Sequence, residues 1–326
     1  MNRLNARWAA PLLLLAVACG GGSDEPSSGG SGAAGGGNEE LDQVTVGVIP
    51  IVDVAPIYLG EQQGFFEEQG IDLTLEAAQG GAAVVPGVMS GQYQFGFSNV
   101  TSLMLAAQEG LPLKVVTNGV ASTGEDGADY SGVVARSESG VVDAAGLAGK
   151  RVAVNTLNNI GTTTINESIR AAGGDPSGVE YVELPFPDMP AALDAGNVDA
   201  AWVVEPFLTI ATNNGGTVVA SNYVDAADDL TVAVYFTSQQ VLTQDADLVE
   251  RFTTALDQSL EYATANEPET RAVLADYTEI DQAVIDAMTL PAWPVDINRE
   301  SVDRLAELAV DDGLLEEQPD LDALLP

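Results

Sequence analysis

The chain has 326 residues, enough for two domains with separate cores, and 49 acidic against 11 basic residues give it a formal charge of −38. A surface of that sign repels nucleic acid and anionic lipid headgroups, so neither is an expected partner. Histidine is absent and Cys19 is the sole cysteine, which excludes an internal disulfide and His-dependent nucleophiles and removes the commonest zinc ligand; no metal, cofactor or catalytic role is expected.

Residues 1–18 carry Arg3 and Arg7 and then an apolar run from Trp8 broken by Pro11, the layout of a signal peptide too short to span a bilayer permanently. Ala16-Val17-Ala18-Cys19 resembles a bacterial lipobox, with Ala16 where leucine is usual, so Cys19 is expected to be lipidated after cleavage. Cleavage removes two arginines and no acids, leaving 9 − 49 = −40. Residues 19–43 are the lipidated cysteine and a Gly/Ser-rich acidic segment without apolar periodicity, read as a flexible linker.

The body opens with a strand from Val44 to Ile49, then a turn and a helix that starts at Pro56 and stops at Gly64. Ile71, Leu73 and Leu75 alternate as a strand, Gln79-Gly80-Gly81 leads into a helix ending at Gly91, and a strand over Tyr93–Phe97 runs through Ser98-Asn99 into another helix. Leu113–Asn118 is a strand, Gly119–Ser131 a loop and Gly132–Arg136 a strand. A second series follows, with strands at Val152–Val154, Val179–Leu184, Ala200–Val203, Thr217–Ala220 and Val232–Thr237, then mainly helix from Asp247 onward. Alternating β and α elements imply largely parallel sheets with helices on both faces.

Within the second series, Val152–Gly173 passes from a β-branched run through a polar turn into a helix, with Ile165 and Ile169 on one face and Thr164 and Glu167 at capping-box spacing. Such a helix N-terminus facing a polar turn is where open α/β sheets hold ligands. The pattern recurs at Val52–Ala55, Gln79–Ala82 and Ser98–Thr101. The expected fold is α/β, two doubly wound lobes joined by two hinge strands, with lobe 1 at 44–136 and 236–326 and lobe 2 at 137–235.

IYLGEQQGFFEEQGIDL, SGQYQFGFSN, GLAGKRVAVNT, LDAGNVDAAWVVEPF and DINRESVDRLAELAVDDGLL, in that order, resemble the extracytoplasmic solute-binding proteins of ABC importers, in the group handling nitrate, aliphatic sulfonates, taurine and thiamine-pyrimidine precursors. The resemblance covers nearly all of Val44–Leu325. It implies the type II periplasmic-binding fold, a lipid-anchored monomer on the outer face of a bacterial membrane, a small organic solute such as a sulfonate or taurine, and a permease as partner. A pyrimidine-type thiamine precursor and nitrate are the alternative solutes, and a sensor or adhesion subunit without transport is the alternative class. The pyrimidine-synthesising relatives depend on an active-site histidine and a cysteine cluster, both missing here.

In that fold the cleft lies at the C-terminal ends of the strands. The residues placed there are Asp53, Gln79, Gly80, Ser98, Asn99, Thr101 and Asn118 from the first lobe, Asn155, Thr156, Asn158, Thr162, Thr163 and Glu205 from the second, and Tyr235 near the hinge. Some have plainer roles open to them: Ser98, Asn99, Thr162 and Thr163 as helix caps, and Glu205 as a partner of a helix dipole. Basic residues are scarce at these edges, which favours amide and hydroxyl donors over charge pairs and weakens the nitrate alternative.

Overall fold

A computed structural model describes residues 41–326. The expected signal peptide, the lipidation site Cys19 and most of the linker lie outside the described residues. Ten strands occur in chain order: β1 (Asp42–Val48), β2 (Ile71–Ala77), β3 (Phe95–Asn99), β4 (Leu113–Ala121), β5 (Ser131–Ala135), β6 (Arg151–Val154), β7 (Glu180–Glu183), β8 (Ala200–Val204), β9 (Thr217–Ala220) and β10 (Thr231–Ser238). They form two five-stranded sheets, ordered β2-β1-β3-β10-β4 and β7-β6-β8-β5-β9.

The two sheets are built alike. In the first, β1 runs parallel to β2 and β3, and β10 enters antiparallel between β3 and β4. In the second, β6 runs parallel to β7 and β8, and β5 is antiparallel to both β8 and β9. The sheets are therefore mixed rather than largely parallel, because in each the antiparallel strand enters directly after the chain has come across from the other sheet. The crossings run through 122–130 and 221–230, so β5 lies wholly in the second sheet and β10 wholly in the first. The boundaries expected at 136 and 236 fall at the far end of β5 and within β10.

Burial follows the strand patterns. Val44, Val46 and Val48 put one face of β1 into the core, whereas β8 is buried along its whole length, as a central strand covered on both faces must be. The helix Ala55–Gln63 ends at Gly64, whose φ of 83° is the left-handed cap that a side chain would disfavour. The long helix Ala246–Ala265 packs on Ala55–Gln63 and β4, with Phe252 stacked on Phe95 at 3.8 Å between centroids.

Two local readings are corrected. Asn159, with Thr162 three residues on, closes the capping box of the helix Ile160–Ala171; Thr164 lies inside that helix and donates to the Ile160 carbonyl at 2.8 Å. Gly119 does not open a loop but belongs to β4, where a β-carbon would come within 2.7 Å of the Phe97 ring and 2.9 Å of the Ala233 carbonyl oxygen.

Candidate functional site

The C-terminal edges of the two sheets face each other and touch. Gly80, ahead of the helix Gly81–Ser90, lies against the second half so closely that a β-carbon would stand 3.2 Å from Thr156 Oγ1 and 3.4 Å from Asn155 Nδ2. The Val52 amide donates to the Glu205 carbonyl at 3.3 Å. Asn159 Nδ2 donates to Ser102 Oγ at 3.1 Å, joining the helix Ile160–Ala171 to the helix Val100–Gln108. The helix Arg299–Asp311 packs on both of these, and Asp312 just beyond it accepts from Arg170 at 2.7 Å. These contacts close the two halves against each other along this edge.

Five expected site residues present buried polar atoms without a protein partner, Asp53 Oδ1, Thr101 Oγ1, Asn118 Oδ1, Thr163 Oγ1 and Tyr235 Oη, as do Arg136 Nε and Arg170 Nη2. Buried polar groups are nearly always bonded, so these atoms keep hydrogen-bonding capacity that the protein itself does not use. Asp53 sits on the 3-10 turn Val52–Val54 directly after β1 and is 3% exposed. Burial pushes its carboxyl from 3.8 up to about 7, against the opposing pull of its backbone hydrogen bond and the Tyr130 hydroxyl. Tyr130 donates to Asp53 Oδ2 at 3.4 Å, and the Trp293 indole donates to the Asp53 carbonyl at 3.0 Å.

The remaining expected residues divide by role. Ser98 is buried behind Gly81, and Asn99 caps its helix by accepting from the Ser102 amide at 2.9 Å. Thr162 is occupied in the capping box, accepting from the Asn159 amide at 3.0 Å. Asn155 and Thr156 line the seam with Gly80, while Gln79 and Asn158 are exposed, the latter with φ 51° in a turn. Glu205 is buried, which raises its pKa, yet its carboxylate is fully engaged by the Thr209 amide and hydroxyl and the Thr289 amide. Asn118 gives its amide to the Pro294 carbonyl at 2.6 Å and leaves its buried Oδ1 without a partner. Trp202 is core, its ring covering Gly161 and its indole donating to Ser131 at 2.9 Å.

Sequence reasoning did not single out Ser102, Asn159, Tyr130 or Trp293. Asn159 had a signal, the Asn-x-x-Thr spacing of a cap; the others are single residues in segments read as helix or loop. A separate open groove of about 930 Å³ runs past Ser122, Asp229, Arg271 and Asn298, with Trp293 in its wall. Among the described residues no cluster of His, Cys, Asp and Glu suits a metal ion, and no helix is long and apolar enough to cross a membrane.

Two mixed sheets meeting at their C-terminal edges, with a closed seam and unpartnered polar atoms there, define the two-lobed periplasmic-binding fold. The profile of the family described as NMT1/THI5 like matches residues 51–270, and the chain belongs to that family. It is 20% identical over 253 residues to a Bacillus subtilis (strain 168) protein assigned to binding aliphatic sulfonates, covering 76% of this chain and 74% of that one. It is 28% identical over 192 residues to the taurine-binding periplasmic protein of Escherichia coli (strain K12), covering 58% of this chain and 56% of that one. Among solved structures, the alkanesulfonate-binding protein SsuA of Xanthomonas axonopodis pv. citri bound to MOPS superposes with a TM-score of 0.72 at 17% identity, over 88% of this chain and 99% of that one. The nitrate-binding protein NrtA of Synechocystis PCC 6803 gives 0.75 at 14% identity, over 88% and 86%.

Proposed function

We propose that this protein is the substrate-binding subunit of an ABC importer, closing its two lobes on a small organic solute and presenting it to a permease. The observation that carries this is the set of buried, unpartnered polar atoms on Asp53, Thr101, Thr163 and Tyr235 at the edges where the lobes meet. A solute touching both lobes favours the closed state by its differential affinity for it. The finer parts of the reading are a monomer held by lipidated Cys19 and a linker at the outer face of the cell membrane, with 1–18 as signal peptide. The two crossings at 122–130 and 221–230 are the hinge.

Sulfonate-binding and taurine-binding relatives make amino-sulfonates the first solutes to test. The tyrosines around Asp53 support a ring-bearing solute such as a pyrimidine as the second. A thermal-shift screen of sulfonates, taurine, pyrimidines, nitrate and carboxylates tests the proposal: a solute at 100 times its dissociation constant adds about 2.7 kcal/mol of stability. A flat response across the panel contradicts it.

A further inference from the structure

Asp53 is a buried carboxyl enclosed by Tyr130, whose hydroxyl donates to Oδ2 at 3.4 Å, and Trp293, whose indole donates to the Asp53 carbonyl at 3.0 Å. Burial is the main cause that raises the hydroxyl pKa of Tyr130, Tyr223, Tyr235 and Tyr277, and the charge of Asp53 raises each further. Tyr277 stacks on Tyr58 at 4.0 Å, and Tyr130 and Tyr223 lie 5.8 Å apart between centroids. Tyr58 and Tyr277 come from helices beside the first sheet, Tyr130 and Tyr223 from segments flanking β5 and β9 of the second. An occupant beside Asp53 therefore meets both halves of the protein.

The enclosure holds no counter-charge. Of the eleven basic residues, Arg3 and Arg7 lie outside the described residues, and each of the other nine is bonded to a partner other than Asp53. A buried carboxylate is stable as an anion only when paired. A sulfonate or nitrate group placed here would meet a like charge. A cationic nitrogen instead finds a buried, unpartnered acceptor in Oδ1.

We propose that Asp53 is the counter-ion for a positively charged nitrogen of the transported solute, an ammonium or amidinium centre bonded to Oδ1. This rests on the reading of the interlobe cleft as the solute site. Cation binding keeps Asp53 ionised, so affinity rises with pH as the free carboxyl, at about 7, loses its proton. The groups facing it do not confound this range: the four tyrosine hydroxyls are all pushed above 10 and stay neutral. The neighbouring carboxylates are Asp129, bonded by Ser122 and Thr123, and Glu205, bonded by Thr209 and Thr289.

The test is calorimetric titration of the intact mature protein with choline, putrescine, benzamidine and taurine, and with isethionate, methanesulfonate and nitrate as anions lacking the positive nitrogen. At least one cation-bearing probe binds, about tenfold more tightly at pH 8 than at pH 6. Asp53→Asn weakens that probe at least tenfold and flattens its pH profile, with a melting temperature no lower than that of the wild type. Binding of the anions alone, or an Asp53→Asn variant that binds the cation as the wild type does, overturns the assignment of Asp53 and leaves the solute-receptor reading standing. No binding of any probe overturns both.

Discussion

The Asn159 amide and the Ser102 hydroxyl meet at 3.1 Å, and through them the N-cap of one lobe's helix is tied to the first turn of the other's. Asn159 also caps its own helix by accepting from the Ile160 amide at 2.9 Å, so losing Ser102 removes one of the links between lobes and spares the cap. Ser102→Ala is expected to weaken solute binding by roughly fivefold, the net worth of about 1 kcal/mol for one hydrogen bond, and to enlarge the radius of gyration of the solute-free protein in X-ray scattering. Unchanged scattering and affinity would show that the contact does not hold the closed form.

Gly80 offers a steric test of closure. Its φ of −177° is extended backbone open to any residue, and the near contacts of a β-carbon there are Thr156 Oγ1 and Asn155 Nδ2 of the second half. Gly80→Val should shift unfolding by less than about 0.5 kcal/mol and reduce solute affinity at least tenfold, because only the closed state is crowded. Wild-type affinity in that variant would place the bound form with the lobes further apart at this point.

Asp53 also makes a prediction for the solute-free protein. Burial lifts its folded-state pKa from 3.8 to about 7, so as pH rises the unfolded chain releases this proton first. The cost to stability is absent below about pH 4, grows up to about pH 7 and is then complete, at about 4 kcal/mol. Asp53→Asn is therefore expected to be more stable than the wild type at pH 8, with urea unfolding curves converging below pH 4. Glu205, raised chiefly by burial, bends both curves the same way and drops out of the difference, whereas the charge of Asp129 raises Asp53 further and is part of it.

Gly161, in the first turn of the helix Ile160–Ala171, lies flat on Trp202, and a β-carbon there would overlap the indole ring. Gly161→Ala should cost about 1–3 kcal/mol of overpacking in urea unfolding, despite alanine's better helix propensity. A neutral result would mean that Trp202 moves freely.

Much of this architecture could be read from the chain because local patterns dictate it. Val44, Val46 and Val48 alternate, Pro56 and Gly64 bracket a helix, and polar turns precede the helices at Ser98–Thr101 and Asn155–Thr163. Strand direction was less legible, since nothing local tells that β5 and β10 insert antiparallel. Gly119 misled because a glycine required for close approach to Phe97 looks like one required for a turn. At the site, position at strand ends and near the hinge is all that the sequence offers for Asp53, Thr101, Thr163 and Tyr235; what each side chain touches is not in it. Glu205 meets the same rule, but its carboxylate is held by Thr209 and Thr289, and the Asn118 amide is held by Pro294, partners visible only in three dimensions. Tyr130 and Trp293 reach Asp53 from 77 and 240 residues away, which no spacing rule anticipates.

The most direct test of the cleft as the solute site is amide hydrogen exchange of the protein with and without a solute identified by thermal shift. Protection concentrated in 52–55, 79–82, 98–102 and 155–163, on both sides of the seam together, is the predicted result. Protection confined to one sheet, or to the groove beside Ser122, Asp229 and Asn298, would contradict it.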